Sequence, residues 1–127
     1  MSRANIQAFT LLEVLLTASI LLILLGLLIP NLIKARAAAN NSSAQSLARN
    51  ITNMAEIHRP ENPGALIMSR TGCAPTLISS LPSEVRSCQV YQDNNSTYVL
   101  TESTSDRYYY FDGQKIRGPL ISIPSDW

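Results

Sequence analysis

Apolar residues are spread along the chain in three different patterns. From Val14 to Ile33 there are 20 residues without a charge. At ~1.5 Å per residue this run makes ~30 Å of helix, about the thickness of a bilayer core. A second pattern begins at Ala44. Ala44, Leu47, Ala48, Ile51, Met54, Ala55 and His58 recur at steps of three and four, which puts them on one stripe of a helix. Gln45, Ser46, Arg49, Asn50, Asn53 and Glu56 take the opposite face. The stripe needs a packing partner, and the remaining chain is the obvious one. Between the two patterns, Asn31 to Ala39 is rich in Ala, Leu, Lys and Arg, all strong helix formers. One long helix is therefore expected, ending where Pro60 biases Arg59 away from helical angles. Asn40-Asn41-Ser42-Ser43 is a soft point within it, or a break. Gly26 and Pro30 form another soft point. Pro30 has no N–H for the carbonyl of Gly26, and Gly26 adds backbone freedom.

The third pattern is alternation. Pro60, Pro63, Gly64, Gly72, Pro75 and Pro82 first punctuate a stretch unsuited to long regular elements, in which Thr76–Leu81 can form a turn of helix. Strands are then predicted at Ser87–Gln92, Thr97–Glu102 and Arg107–Phe111. Asp93-Asn94-Asn95-Ser96 and Ser103–Asp106 supply the turns. Asp112-Gly113 reads as a two-residue hairpin turn with φ > 0, leading to a fourth strand at Gln114–Arg117. Gly118-Pro119 should interrupt that strand before the short apolar tail Leu120–Ile123. One face of this antiparallel meander would lie on the helical stripe.

Charge adds little. Without Met1–Ala8 the chain has nine basic and nine acidic residues, so no net field points to nucleic acid. Arg70, Arg86, Arg107, Lys115 and Arg117 read as scattered solvated charges, with a patch for DNA or surfaces the alternative. Tyr108, Tyr109 and Tyr110 alternate faces on a strand, so at least one should be exposed; core and cross-strand packing is the main reading, with adhesion or base stacking the alternative. His58 should cap the helix end. Asn-x-Ser/Thr occurs at Asn40, Asn41, Asn50 and Asn95, a pattern frequent by chance. No phosphate loop, nucleophile triad or paired catalytic carboxylates stand out, so no enzyme, cofactor or metal site is expected.

The start of the chain is more specific. Glu13 stands at the outer end of the apolar run, and a carboxylate inside a bilayer costs ~2.5–3.5 kcal/mol. Met1–Ala8 is polar, carries Arg3 and has no apolar region of its own, unlike an ordinary secretory signal. A cut after Ala8 would create an α-amine at Phe9, close to Glu13. The stretch Ala8-Phe9-Thr10-Leu11-Leu12-Glu13-Val14 resembles the processing site of type IV prepilins and pseudopilins, the class III signal peptide. That resemblance implies that a prepilin peptidase cuts before Phe9 and N-methylates it. It also implies that Glu13 pairs with an N-terminal amine during assembly. The family usually has Gly where this chain has Ala8, the next smallest residue, so cleavage at a normal or slower rate is expected. Ile29-Pro30-Asn31-Leu32 is also similar to major pilins, where the corresponding segment is helical in the membrane and melts in the fibre.

The implied fold is α+β, a type IV pilin fold in which a long N-terminal α-helix packs on an antiparallel sheet of three or four strands. The expected divisions are a leader at 1–8, a membrane or filament-core helix at 9–33, an amphipathic helix at 34–59, an αβ-loop at 60–86, and the meander and tail at 87–127. Cys73 and Cys88 are the only cysteines. In an exported domain a bridge between them is expected, with two buried thiols as the alternative. It would close a loop worth ~3 kcal/mol in the chain-entropy model. The implied function is that of a filament subunit assembled from the inner membrane into a surface pilus for motility, adhesion or DNA uptake. Its implied partners are other copies of itself, the peptidase and the assembly machinery, with minor pilins as further candidates; nucleic acid stays open. Two alternatives stand beside it: a pseudopilin of a type II secretion or competence system, and a single-pass anchored binding domain that never polymerises.

Overall fold

The computed structural model describes residues 9–61 and 66–127, apart from the side chains of Pro60 and Glu61. The chain divides into two compact units, one up to Ala35 and the other from Arg36 to Trp127.

A single helix, α1 (Leu11–Glu61), contributes to both units. In the first unit its large apolar side chains are all exposed, from half to three quarters of their surface. By length and composition this part of α1 is able to cross a membrane. Its polar side chains bond to their own helix. Thr17 Oγ1 donates to the Val14 carbonyl at 3.0 Å, Ser19 Oγ to that of Leu15 at 2.7 Å, and Asn31 Nδ2 to that of Leu27 at 3.1 Å. Polar groups satisfied this way can enter an apolar medium without external partners.

The second unit builds its core where the stripe meets the sheet. Ala44, Leu47, Ala48, Ile51 and Ala55 are buried, as the periodicity predicts. Met54 is only half-buried and His58 is exposed, while Thr52 is buried and returns its hydroxyl to the Ala48 carbonyl at 2.8 Å. Asn40-Asn41-Ser42-Ser43 does not break the helix. Ala44 follows at 0% exposure, and packing of that kind overrides weak local propensity. The helix also runs past the expected end at Arg59, to Glu61. Assignments of helix ends differ by a residue or two in frayed last turns.

After the helix come β1 (Thr71–Gly72), the single turn α2 (Cys73–Thr76), β2 (Val85–Gln92), β3 (Thr97–Ser103), β4 (Tyr108–Phe111) and β5 (Ile116–Leu120). All neighbouring strands are antiparallel, in the order β1-β2-β3-β4-β5. The predicted meander is present as β2 to β5, and β1 adds a fifth strand from within the expected loop. The helical turn there falls at Cys73–Thr76, not Thr76–Leu81. Two residues give β1 no alternation to detect, and only its pairing with β2 (Thr71 opposite Val90) makes it a strand.

Side chains alternate as a sheet requires. Cys88 and Val90 on β2, Val99 on β3 and Tyr109 on β4 join the helical stripe in one core. Tyr110 is nonetheless buried too, against the edge of Trp127. None of the three consecutive tyrosines is therefore fully exposed, contrary to the alternation argument; Tyr108 is half-buried. Burial pushes the Tyr109 and Tyr110 phenols above their ordinary pKa.

Two turns share one device. Asp93 Oδ1 accepts the N–H groups of Asn95 and Ser96 at 2.8 and 2.6 Å, and Asp112 Oδ1 accepts those of Gln114 and Lys115 at 3.0 and 2.9 Å. Asp112 thereby becomes the first residue of its turn. Gly113, at φ 87°, and Gln114 form the centre, one position later than an Asp-Gly centre would give. Gly118-Pro119 does not interrupt β5. Between Tyr108–Leu120 and Tyr110–Arg117 the register slips by one residue, and Gly118 absorbs the bulge at φ 142°. A Cβ there would lie 2.8 Å from the Tyr108 carbonyl oxygen.

Candidate functional site

The predicted site residues fall into two groups. Phe9, Glu13, Gly26 and Pro30 belong to the unit that ends at Ala35, and Cys73 and Cys88 to the other. Ala8, with the rest of the expected leader, lies outside the described residues.

Thr10 and Glu13 form the start of α1 between them. Glu13 Oε2 accepts from the Thr10 backbone N–H at 3.0 Å and from the Thr10 hydroxyl at 3.2 Å; Thr10 Oγ1 accepts the Glu13 N–H at 3.3 Å. This is a reciprocal capping box, with Thr10 as the cap and Glu13 three residues into the helix. It satisfies N–H groups that a helix start leaves without partners, and a carboxylate in the first turn also suits the helix dipole. Thr10 joins the expected site residues through this box, and Thr-x-x-Glu ahead of an apolar run is the signal in the sequence that marks it. Both Thr10 donors are neutral, so the box holds the carboxylate in place without neutralising it. Phe9, at 76% exposure, precedes the cap.

Gly26 and Pro30 lie inside the continuous helix. Pro30 cannot supply the N–H that the Gly26 carbonyl would take in a regular helix. A Cβ on Gly26 would meet no atom within 4 Å, so packing within the subunit does not require glycine there.

Cys73 and Cys88 are joined in a disulfide, with Cα atoms 5.4 Å apart and a separation of 15 residues. Both are buried in the core. The bond ties the turn after β1 to the middle of β2.

A polar cluster that the sequence did not announce closes the C-terminal end of α1 on the β2–β3 turn. Gln92 Nε2 donates to the Ala55 carbonyl at 3.0 Å and to Thr97 Oγ1 at 3.1 Å. Thr97 Oγ1 also accepts from Arg59 at 3.1 Å and donates to Glu56. Arg59 reaches the Asp93 carbonyl at 2.8 Å and pairs with Glu56 at 3.0 Å. Arg59 thus ties the last turn of α1 to the β2–β3 turn. The five basic residues that could have gathered into a patch include three with partners in different places. Arg86 pairs with Glu102 and Asp106, Arg117 with Asp112, and Arg70 stacks over Trp127. Among the described residues no group of three or more His, Cys, Asp or Glu is placed to hold a metal ion.

Comparison with known proteins adds one match. The profile of the family described as Pilin A4 matches residues 40–118. No curated protein and no solved structure matches the chain. The matched stretch covers the packed half of α1, the disulfide and most of the sheet. It begins well after the apolar run, so the resemblance at Ala8–Val14 and the family match rest on separate parts of the chain. The α+β architecture, the apolar helix able to cross a membrane and the profile match agree: this chain is a pilin and belongs to the Pilin A4 family.

Proposed function

We propose that this pilin is the structural subunit of a type IV pilus filament, held in the inner membrane by its N-terminal helix and then assembled into a pilus on the cell surface. The observation that carries the reading is the apolar surface of α1. From Leu11 to Ile33 its side chains lie exposed in the single subunit, with one carboxylate, Glu13, at their head. Such a surface is stable only in lipid or against other apolar helices. A bilayer provides the first setting and a bundle of identical helices provides the second. Pilins are structural proteins, and the reading assigns no catalytic role.

In the proposed cycle a prepilin peptidase cuts between Ala8 and Phe9 and methylates the new amine. Glu13, held by Thr10, then pairs with a Phe9 amine of its own chain or of a neighbour as the subunit enters the fibre. A neighbour's amine would also report correct axial register. The assembly machinery, and minor pilins where present, are the further partners; motility, adhesion or DNA uptake is the filament's task. Shearing cells that express the chain and imaging the released material tests the reading. Filaments containing this chain are expected. Cells with the chain in their membranes and none in sheared filaments would overturn it in favour of a pseudopilin or an anchored domain.

A further inference from the structure

A cavity formed by β2, β3, their connecting turn, β4 and the segments at residues 68–70 and 126–127 takes no part in the proposed assembly. Tyr91 and Tyr98 face each other across β2 and β3 and stack, with ring centroids 5.7 Å apart and planes 28° from parallel. Trp127 stands edge-on to the buried Tyr110 at 5.6 Å, and the Arg70 guanidinium lies 5.4 Å from the Trp127 ring centroid. With Asp126 at the rim, these side chains line a cavity of about 420 Å³. That volume is within the ordinary range for small-molecule sites, which combine aromatic walls with a few placed polar groups.

The polar groups narrow the ligand. Asp93 also lines the cavity, but its carboxylate already accepts two backbone N–H groups and the Tyr98 hydroxyl at 3.2 Å. The two exposed ionic groups, Arg70 and Asp126, carry opposite charges. One can only donate hydrogen bonds and the ionised other can only accept them. A phosphodiester would meet the carboxylates of Asp93 and Asp126. A quaternary ammonium would find the Trp127 ring in contact with another cation. A neutral ring with an apolar C–H face and hydroxyls at its edge fits both features: the face lies on the aromatic surface that the Tyr91–Tyr98 stack and the Arg70–Trp127 contact leave open to the cavity, and the hydroxyls bond to Asp126 and Arg70.

We infer that this cavity binds a neutral saccharide of one or two rings, gripped by Tyr91, Tyr98 and Trp127 and oriented by Arg70 and Asp126. The site lies within one subunit, so it stands or falls independently of whether the chain polymerises. Trp127 is the only tryptophan, and its fluorescence reports on the site directly. The full chain would be held in a polyoxyethylene detergent, which has no sugar headgroup. It would be titrated with maltose, cellobiose, N-acetyllactosamine and chitobiose at millimolar concentration. At least one of these should shift Trp127 emission saturably. Tyr91→Ala should weaken that binding about tenfold, the scale of one aromatic contact. Asp126→Asn and Arg70→Gln alter exposed side chains and should weaken it several-fold with unchanged circular dichroism, which keeps the test valid if Tyr91→Ala misfolds. The inference is overturned if none of the four sugars shifts the emission. It is equally overturned if tetramethylammonium or an oligothymidylate shifts it at lower concentration than any sugar.

Discussion

Glu13 is the residue on which the proposed assembly turns. Its carboxylate is fixed by Thr10 in a capping box, yet no charge in that box opposes it. Placing an unpaired charge among packed apolar helices is costly, and breaking an ion pair in such surroundings costs ~3–5 kcal/mol. Glu13→Val should therefore leave membrane insertion intact, or improve it, and cut filament number sharply. The leader should still be removed, since the scissile bond lies elsewhere. Counting fibres by electron microscopy in cells with equal membrane levels of the two chains checks this; normal fibres built of the variant would refute the pairing. Asp93 makes a different prediction. The N–H groups of Asn95 and Ser96, aimed at its carboxylate, lower its pKa from the ordinary value of 3.8. Asp112 is lowered in the same way, first by the Lys115 N–H. A carboxylate with a depressed folded-state pKa adds stability that is fully present above its unfolded pKa and is lost as pH falls through the folded one. The chain should accordingly lose stability progressively as pH drops below 3.8. Asp93→Asn keeps the acceptor oxygen but not the charge, and should flatten that dependence. Denaturation midpoints across the acid range give the comparison.

Among the elements, α1 carries two kinds of stability in one uninterrupted helix. The stripe from Ala44 to Ala55 is buried against the sheet and has lost its freedom to rearrange. The apolar part around Gly26 and Pro30 has neither packing within its unit nor a complete set of backbone bonds there. On passing from lipid to fibre, this is where the helix should open. An extended residue spans up to ~3.3–3.6 Å against ~1.5 Å in a helix, so opening lengthens the subunit. A fibre reconstruction should show the backbone out of helical geometry near Gly26–Pro30, and an unbroken helix there would contradict this. The sheet is held more firmly. Cys73–Cys88 secures its first edge, and closing a loop of that size contributes ~3 kcal/mol in the chain-entropy model. The Gln92–Thr97–Arg59–Glu56 cluster ties its second turn to the helix.

For the whole molecule, the proposed function divides the chain between an apolar start that is processed and a folded domain that displays chemistry. Its prediction is covalent. Filament material should begin at Phe9 and weigh about 14 Da more than the unmodified chain, the mass of one methyl substitution. N-terminal mass spectrometry that found Met1, or an internal start, would end the processing scheme. The saccharide cavity belongs to the second half of this division, and the two halves can be tested separately.

Periodicity makes much of this legible in the sequence. A charge-free run of 20 residues and steps of three and four describe a helix whatever surrounds it, because apolar spacing reflects helix geometry directly. Turn residues place the meander for the same local reason, and two cysteines in a chain expected to be exported point to a bridge that the structure contains. Other features depend on partners distant in sequence. Thr71–Gly72 is a strand only because Val90 and Gln89 lie beside it. Gly118-Pro119 stays within β5 because Tyr108 and Tyr110 accept a bulge. Tyr110 is buried because Trp127 reaches it. The cavity beside it joins residues from three strands, the β2–β3 turn and two other segments. Local pattern carries a residue's own conformational preference, whereas burial, edge pairing and site assembly are set by what the rest of the chain brings next to it.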